Sequence, residues 1–245
     1  MGIVWGFSPR WGAVDMDDRY ARNFDTLSVQ DQEKLKDARV CIIGAGGLGG
    51  GVCENLARIG VEHLTLVDGD VFESSNLNRQ LLSTESLVGV SKAEAGAKRV
   101  AAINSQVEIR WESCFARPEN LPDLLSGADL VVDCLDTIEA RFDLQDAAQK
   151  MGLPLVSGAI AGVCGQVTVI YPGDKGFELI YGPRDRERNR GAENRMGNLS
   201  HCALLTASLQ SSECLKVLLD RGDILRNKLL ILDLWSNTFE VLDLT

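Results

Sequence analysis

The feature that most constrains the fold is a glycine-rich run that directly follows a short apolar segment. Residues 39–44 (RVCIIG) are typical of a buried parallel strand, and residues 44–49 (GAGGLG) match the pattern G-x-G-x-x-G. A helix pattern follows over 47–59, and the next apolar run, 64–68, ends in Asp68. The backbone N–H groups of such a loop bind phosphate, and an acid at the next strand end binds ribose hydroxyls. The order of these elements therefore predicts a nucleotide site.

Strand and helix patterns continue to alternate along the 245 residues. This alternation predicts an α/β fold, a Rossmann-like, mostly parallel sheet with helices on both faces. We expect an N-terminal helical extension that begins near Ser28 and is capped with Asp31, and a C-terminal antiparallel hairpin over 229–234 and 239–244. The further predicted strands are 107–111, 128–134, 154–158 and 166–171, and the further predicted helices are 91–104, a short one around Leu121, 139–151 and 202–219.

We expect one domain over residues 1–245. Residues 1–18 match none of the predicted elements, and the polar residues 173–198 are predicted to form a crossover loop. Polar segments of that length within a compact domain usually act as lids or binding loops.

The composition disfavours several classes of partner and site. The net charge is -10, from 25 basic and 35 acidic residues, which disfavours a nucleic-acid partner. The seven cysteines include no C-x-x-C pair and there are two histidines, so we expect no zinc site. With no signal-like segment and no apolar run near the ~18 residues of a membrane helix, we expect a cytoplasmic protein with reduced thiols and no membrane association.

Charged residues after the predicted strands suggest which nucleotide is bound. Arg79 and Lys92 follow the ribose acid and suit a triphosphate, although a surface cation and a solvated helix residue are the alternatives. Asp136 follows the fourth strand, where it can hold Mg²⁺ bridging phosphates. Asp133 is the competing candidate, and it can equally cap a loop. This pattern therefore favours a triphosphate with Mg²⁺ over a nicotinamide cofactor.

Several short motifs, in order from Arg19 to near the C-terminus, resemble those of the ThiF/MoeB/HesA family. These adenylyltransferases activate ubiquitin-like sulfur-carrier proteins and are related to ubiquitin-activating enzymes. Asp136 and Arg141 match the family's D-x-x-x-x-R pattern. The other matching segments are RYAR (19–22), GAGGLG, LTLVDGD with Asp68, SNLNRQ, VGVSK, PLVSG (154–158) and GQV (165–167).

The resemblance implies that the C-terminal Gly-Gly carboxylate of a small carrier attacks the α-phosphate of ATP. The products are a carrier acyl-adenylate and pyrophosphate, for thiamine or molybdopterin biosynthesis. Arg22 would reach into the partner's site as an arginine finger, which implies a homodimer. The residues implied to bind the nucleotide are Gly44, Gly46, Gly47, Gly49, Asp68, Asn76, Arg79 and Lys92, those implied in catalysis are Arg22, Arg79, Lys92 and Asp136, and Asp136 would also hold Mg²⁺.

The sequence also departs from the family pattern. Many members bind zinc through two C-x-x-C pairs, and the first would fall near 177–183, where no cysteine occurs. Residues 191–194, where thiol-using members place a reactive cysteine, also contain none, and Cys202 just beyond is expected to pack in the core. The family's D-N is Asp136-Thr137 here. The crossover 173–198 is expected to cover the carrier's tail.

Three other functions stay open at this point. The same ATP chemistry could activate a carboxylate on tRNA or a small molecule, as in cyclic-threonylcarbamoyladenosine dehydratases. A nicotinamide oxidoreductase is the default interpretation of the glycine pattern alone. A non-catalytic half of a heterodimer would retain the fold without the reaction.

Overall fold

A computed structural model describes residues 18–185 and 196–244. Nearly all of the segment 1–18, which matched no predicted element, and the middle of the crossover, including 191–194, lie outside these residues. The strands are β1 (Arg39–Ile43), β2 (His63–Val67), β3 (Glu108–Glu112), β4 (Leu130–Asp133), β5 (Leu155–Ala161), β6 (Cys164–Ile170), β7 (Lys228–Asp233) and β8 (Thr238–Asp243). The α-helices are α1 (Val29–Asp37), α2 (Gly49–Ile59), α3 (Lys92–Ile103), α4 (Leu121–Leu124), α5 (Ile138–Lys150), α6 (Phe177–Tyr181) and α7 (Ser200–Leu219).

All eight strands form one sheet in the order β3-β2-β1-β4-β5-β6-β7-β8. The first five in this order pair in parallel, and β6, β7 and β8 pair antiparallel. The predicted α/β fold, mostly parallel with a C-terminal hairpin, is confirmed. The chain reverses direction across the sheet between β1 and β4, and ligands of such sheets bind in the crevice at that point.

The two faces of the sheet are covered by different helices, as predicted. Val40 and Ile42 of β1 belong to a core shared with α1, α2, α3 and α7. Cys41 and Ile43, which alternate with them, belong to a second core shared with α4, α5 and α6. Because successive side chains of a strand point to opposite faces, this apolar run is buried throughout. The core therefore lies on both sides of the strands that carry the predicted site.

The start of α1 follows the predicted capping pair. Ser28 Oγ accepts a hydrogen bond from Asp31 N (3.1 Å), and Asp31 Oδ2 accepts one from Ser28 N (2.9 Å). These bonds satisfy backbone donors that a helix start leaves unpaired. The N-terminal helical extension is thus confirmed with its cap.

The expectation that no segment is long enough to span a membrane was wrong for α7. This helix has 20 residues, and an 18-residue stretch of it has a mean hydropathy of 1.2. By length and composition alone it is therefore long and apolar enough to cross a membrane. Half of that stretch is buried, and Cys202, Ala207 and Cys214 are fully enclosed against α2 and the sheet. The helix is apolar because it packs within the core on one side of the sheet.

The crossover contains a helix that the sequence pattern did not indicate. Over 177–181 the chain forms α6, and the Phe177 ring packs edge-on against Phe142 with ring centroids 5.7 Å apart. Gln145 Oε1 accepts a hydrogen bond from Phe177 N (2.8 Å). A five-residue helix shows no periodicity, and these contacts with α5 come from tertiary packing.

Candidate active site

A cavity of about 740 Å³ opens at the carboxyl ends of β1, β2 and β4, where the sheet order reverses. Its lining includes most of the predicted nucleotide residues: Gly44, Gly46, Gly47, Asp68, Arg79, Lys92 and Asp136. The cavity continues past β4 over β5, β6 and β7, where Gln166, Tyr181, Asn198 and Ile231 line it. We call these two parts the nucleotide lobe and the second lobe.

The glycine loop closes the nucleotide lobe from the side of α2. Gly44 has a φ of +98°, which favours glycine, and its N–H donates to Val67 O (2.8 Å). A β-carbon at Gly49 would overlap the carbonyl oxygen of Gly44, so the helix can start this close to the strand only with glycine. The loop thus brings backbone N–H groups and the N-terminus of α2 to the cavity, which is the arrangement that binds phosphate.

Asp68 follows β2 and is held by the backbone on both carboxylate oxygens. Oδ2 accepts from Ala45 N (2.7 Å) and Oδ1 from Asp70 N (2.8 Å). Burial raises the pKa of Asp68 against the opposing effect of these hydrogen bonds. Each oxygen keeps a second lone pair, so the carboxylate can still accept from a ribose hydroxyl beside the glycine loop.

The two predicted cations reach the same lobe in different ways. Lys92, at the first turn of α3, is only 7% exposed, and its Nζ lies 3.0 Å from Asp70 Oδ2. It is therefore not the solvated helix residue of the alternative interpretation. Arg79 is half-buried and donates through Nη1 to Ser75 O and to Asn78 Oδ1, both at 2.9 Å. Both positive groups line the cavity that the glycine loop borders.

Asn76 does not line the cavity. Its side chain is buried, and Oδ1 accepts from Glu73 N (3.1 Å) across the 3-10 turn of 74–76. Its carbonyl accepts from Arg79 N (3.1 Å) and Gln80 N (3.0 Å). The structure therefore places Asn76 beneath the turn that presents Arg79 to the cavity.

The two acids at the end of β4 differ sharply. Asp133 is fully buried, and its Oδ2 lies 2.9 Å from Arg141 Nη1 and accepts from Ser157 Oγ (2.6 Å). Asp136 is exposed, lines the cavity and has no hydrogen-bond partner among the described residues. Asp133, the last residue of β4, is thus buried in the sheet, and Asp136, in the loop that follows, faces the cavity.

The donor set at Asp136 fits Mg²⁺ carried in with phosphates. Within 18–185 and 196–244, no group of three or more His, Cys, Asp or Glu side chains could hold a metal ion. Mg²⁺ at nucleotide sites uses one or two carboxylates and takes its other ligands from phosphate and water. An exposed carboxylate in the same cavity lining as Lys92 and Arg79 matches that pattern.

Residues 19–245 match the model of the ThiF family. The chain belongs to this family. The resemblance drawn from the motifs is confirmed, and with it the enzyme class, adenylyltransferase.

Two relatives match most of this ThiF-family chain, but the matches cover different shares of the relatives' own lengths. It is 34% identical over 225 residues to the SAMP-activating enzyme E1 of Haloferax volcanii. This match covers 91% of this chain and 83% of the relative. It is 36% identical over 221 residues to the adenylyltransferase and sulfurtransferase MOCS3 of Drosophila sechellia, spanning 88% of this chain and 48% of that protein. The ThiF-family chain thus corresponds to about half of MOCS3.

Solved structures support the fold of the ThiF-family chain. Escherichia coli MccB superposes with a TM-score of 0.81 over 94% of this chain and 73% of its own, at 22% identity. PaaA gives a TM-score of 0.78 over 97% of this chain and 77% of its own, also at 22% identity.

Two further residues considered in the sequence, Arg22 and Cys202, do not line the cavity of this ThiF-family chain. Arg22 is exposed, just after the turn anchored by Tyr20, whose hydroxyl accepts from Asn104 Nδ2 (2.7 Å). Its approach to a partner subunit stays a prediction. Cys202 is fully buried, and burial raises the pKa of its thiol, in line with the expected core packing.

Phe115 is a cavity residue that the motifs missed. It follows β3, is 54% exposed and lines the nucleotide lobe. Its ring lies so close to Gly69 that a β-carbon there would overlap it. Asn120 Nδ2 donates to Phe115 O (3.0 Å) and holds the loop. The only signals in the sequence are the glycine after Asp68 and an aromatic residue after a strand.

Proposed function

We propose that this enzyme uses ATP and Mg²⁺ to adenylate the C-terminal Gly-Gly carboxylate of a small ubiquitin-like sulfur carrier, in the cytoplasm, for thiamine or molybdopterin biosynthesis. The observation that carries the proposal is the continuity of the cavity. The nucleotide lobe opens without interruption into the second lobe over β5, β6 and β7. A nucleotide in one lobe and a peptide carboxylate entering through the other would meet near the glycine loop. The names of the relatives, which include a SAMP-activating enzyme, support this acceptor.

In the proposed reaction a carboxylate oxygen of the carrier attacks the α-phosphorus of ATP. The bond from the α-phosphorus to the bridging oxygen breaks, and pyrophosphate leaves with that electron pair. Backbone N–H groups of the glycine loop, Lys92 and Arg79 hold and neutralise the phosphates as charge moves to the leaving group. Asp68 orients the ribose. This chemistry depends on positioning and charge neutralisation and uses no covalent intermediate with the protein.

Asp136 would hold Mg²⁺ in this reaction. The bound ion supplies charge neutralisation between the phosphates when ATP is present. Asp133 takes no part, because Arg141 and Ser157 already occupy its carboxylate.

The proposal includes a homodimer in which Arg22 of one subunit serves the other subunit's site. Its support is the match of RYAR to the family motif and the position of Arg22 outside its own cavity lining. Sulfur transfer, which the name of MOCS3 includes, is not part of the proposal, because this chain spans 48% of that protein.

Carrier-dependent ATP–pyrophosphate exchange tests the proposal directly. Purified enzyme is incubated with ATP, Mg²⁺, labelled pyrophosphate and, one at a time, small β-grasp proteins that end in Gly-Gly. Exchange that requires one carrier and is lost when its last glycine is deleted is the expected result. Measurable ATP binding without exchange for any carrier would contradict the acceptor and favour activation of a tRNA or small-molecule carboxylate.

A further inference from the structure

Arg141 matches the D-x-x-x-x-R pattern together with Asp136, and the proposed reaction gives it no part. It lies near the start of α5, borders the cavity and is only 5% exposed. A guanidinium keeps its charge at any physiological pH, so a buried one needs acceptors around it. The acceptors around Arg141 show which parts of the chain it holds.

One terminal nitrogen of Arg141 is fixed to the sheet. Nη1 donates to Asp133 Oδ2 on β4 (2.9 Å) and to Gly158 O on β5 (2.9 Å). Ser157 Oγ, 3.2 Å from the same nitrogen, donates in turn to Asp133 Oδ2 (2.6 Å). The ion pair of Arg141 with Asp133 is therefore buried and held in one geometry.

The other terminal nitrogen reaches the loop that carries Asp136. Arg141 Nη2 donates to Leu135 O, and Leu135 N donates to Asp133 Oδ1 (3.0 Å). The buried ion pair thus holds Leu135 by both its carbonyl and its N–H group. Because a peptide bond is planar, the direction of the Leu135 carbonyl fixes the plane that contains N and Cα of Asp136.

The loop is anchored on both sides of Asp136. Before it, Cys134 N donates to Ile43 O (2.9 Å). After it, Thr137 Oγ1 caps α5 by accepting from Ala140 N (3.4 Å). Asp136 itself is exposed, and its carboxylate has no hydrogen-bond partner among the described residues. The protein therefore fixes the backbone of this loop and leaves the carboxylate to the cavity.

We propose that Arg141 is a positioning residue, which directs the Asp136 carboxylate toward Mg²⁺ by holding the carbonyl of Leu135. This inference rests on the proposed function, in which Asp136 holds the ion. A carboxylate on a fixed loop binds a cation without first being ordered, whereas one on a loose loop loses conformational freedom on binding. Arg141 acts through the loop and not on the phosphates, because it is buried and both of its terminal nitrogens already donate to the protein.

Arg141→Lys tests this role without removing the buried charge. Lysine keeps a cation beside Asp133 but has a single nitrogen, so it cannot serve Asp133 and Leu135 in the forked geometry of arginine. Arg141→Ala is the less useful variant, because it would leave Asp133 buried without a partner and destabilise the fold. Urea unfolding of Arg141→Lys is expected to show one cooperative transition.

The affinity for α,β-methylene-ATP, which cannot release pyrophosphate, is measured by calorimetry on the full chain, with Mg²⁺ and with EDTA. The ratio of the dissociation constant in EDTA to that in Mg²⁺ is then compared between variants. Arg141→Lys is expected to lower this ratio about tenfold, less than the ~100-fold that a 1 Å misplacement can cost in catalysis, and to leave the affinity in EDTA unchanged. A purely structural role would weaken binding under both conditions and leave the ratio as it is.

A matched variant and a double-mutant cycle complete the test. Arg99 also binds a carboxylate, that of Glu54, through two nitrogens, and it lies outside the cavity lining, so Arg99→Lys should keep the wild-type ratio. Asp136→Ala should lower the ratio about tenfold or more, and Arg141→Lys should then lower it no further, because the carboxylate that Arg141 positions is gone.

Two results would overturn the inference. They are a wild-type ratio in Arg141→Lys, and an equal effect of Arg141→Lys with and without Asp136. A wild-type ratio in Asp136→Ala would overturn the inference together with the role of Asp136 in holding Mg²⁺. These measurements need no carrier, so absence of carrier-dependent exchange would count against the proposed acceptor alone.

Discussion

The two lobes of the cavity differ in how far their polar groups are already paired. In the nucleotide lobe, Asp68 is held by backbone N–H groups, Lys92 by Asp70, and Arg79 by Ser75 and Asn78. Where the second lobe begins, the amide oxygens of Gln80 and Asn198 have no partner among the described residues. The polar groups of the first lobe are therefore already oriented by the protein itself, whereas these two oxygens at the start of the second lobe are not.

The sheet explains this difference. Parallel strands end together at one edge, so their loops converge on a single crevice. The antiparallel strands β6, β7 and β8 extend the sheet beyond the crevice, and all of β8 is exposed, including Phe239 and Val241. The parallel half thus carries the loops that line the nucleotide lobe, and the antiparallel half provides surface beside them.

The largest effect is expected within the parallel half, where β4 and β5 lie side by side. Arg141 donates to Asp133 on β4 and to Ser157 and Gly158 on β5. Asp133→Ala would leave this guanidinium buried without its carboxylate, which costs about 3 to 5 kcal/mol. Urea unfolding should show that loss in the free energy of unfolding. A variant with wild-type stability would show that the pair does not hold β4 and β5 together.

Removal of Asp136, the second acid at the end of β4, should reduce activity and leave folding unchanged. Asp136→Ala deletes an exposed carboxylate of the nucleotide lobe, so the unfolding free energy should stay within about 0.5 kcal/mol of the wild type. Carrier-dependent exchange should fall about 100- to 1,000-fold, because one preorganised charge is lost from the transition state. Asp133→Ala, three residues earlier, is the matched variant for this comparison. Normal exchange in Asp136→Ala would disprove its role in holding Mg²⁺.

Complementation tests whether a second copy completes the nucleotide lobe. Arg22→Ala and Arg79→Ala should each slow exchange, and mixing the variants should restore about a quarter of wild-type activity if the site combines residues of two subunits. The quarter follows because half of the dimers are mixed and one of their two sites is intact. A mixture no more active than its components would mean that each site is built within one chain.

The parallel half could be predicted from the sequence almost completely. β1 and β4 are apolar runs that are buried on both faces, and the glycine loop has a characteristic spacing. The predicted bounds of β1, β2 and β3 agree with the structure to within one residue, and that of β4 to within two. The prediction was less complete at the junction of β5 with the antiparallel strands. β5 runs on to Ala161 because it pairs there with Cys164, a contact that local pattern does not encode.

Within the site, the local sequence pattern identified the residue types but did not show which way each side chain points. It named both Asp133 and Asp136, and only the position of Arg141 and Ser157 shows which acid turns inward. Asn198 and Phe115 were missed because they lie at the cavity through contacts with residues more than forty positions away, Asn78 and Gly69 respectively. Non-local packing decides such contacts, and spacing along the chain does not carry it.

The smallest expected effect concerns Phe115 and the outer wall of the nucleotide lobe. The exposed ring of Phe115 lies on a fixed loop and packs on Gly69, next to Asp68, so we expect it to stack on adenine. Phe115→Ala should therefore weaken ATP binding about tenfold, the order of one lost base–aromatic contact, and leave the affinity for tripolyphosphate unchanged. Trp111→Ala is the control, because Trp111 is 43% exposed on β3 and does not line the cavity. Equal weakening of ATP and tripolyphosphate would mean that Phe115 supports the phosphate part of the lobe, and unchanged ATP binding would mean that adenine lies elsewhere.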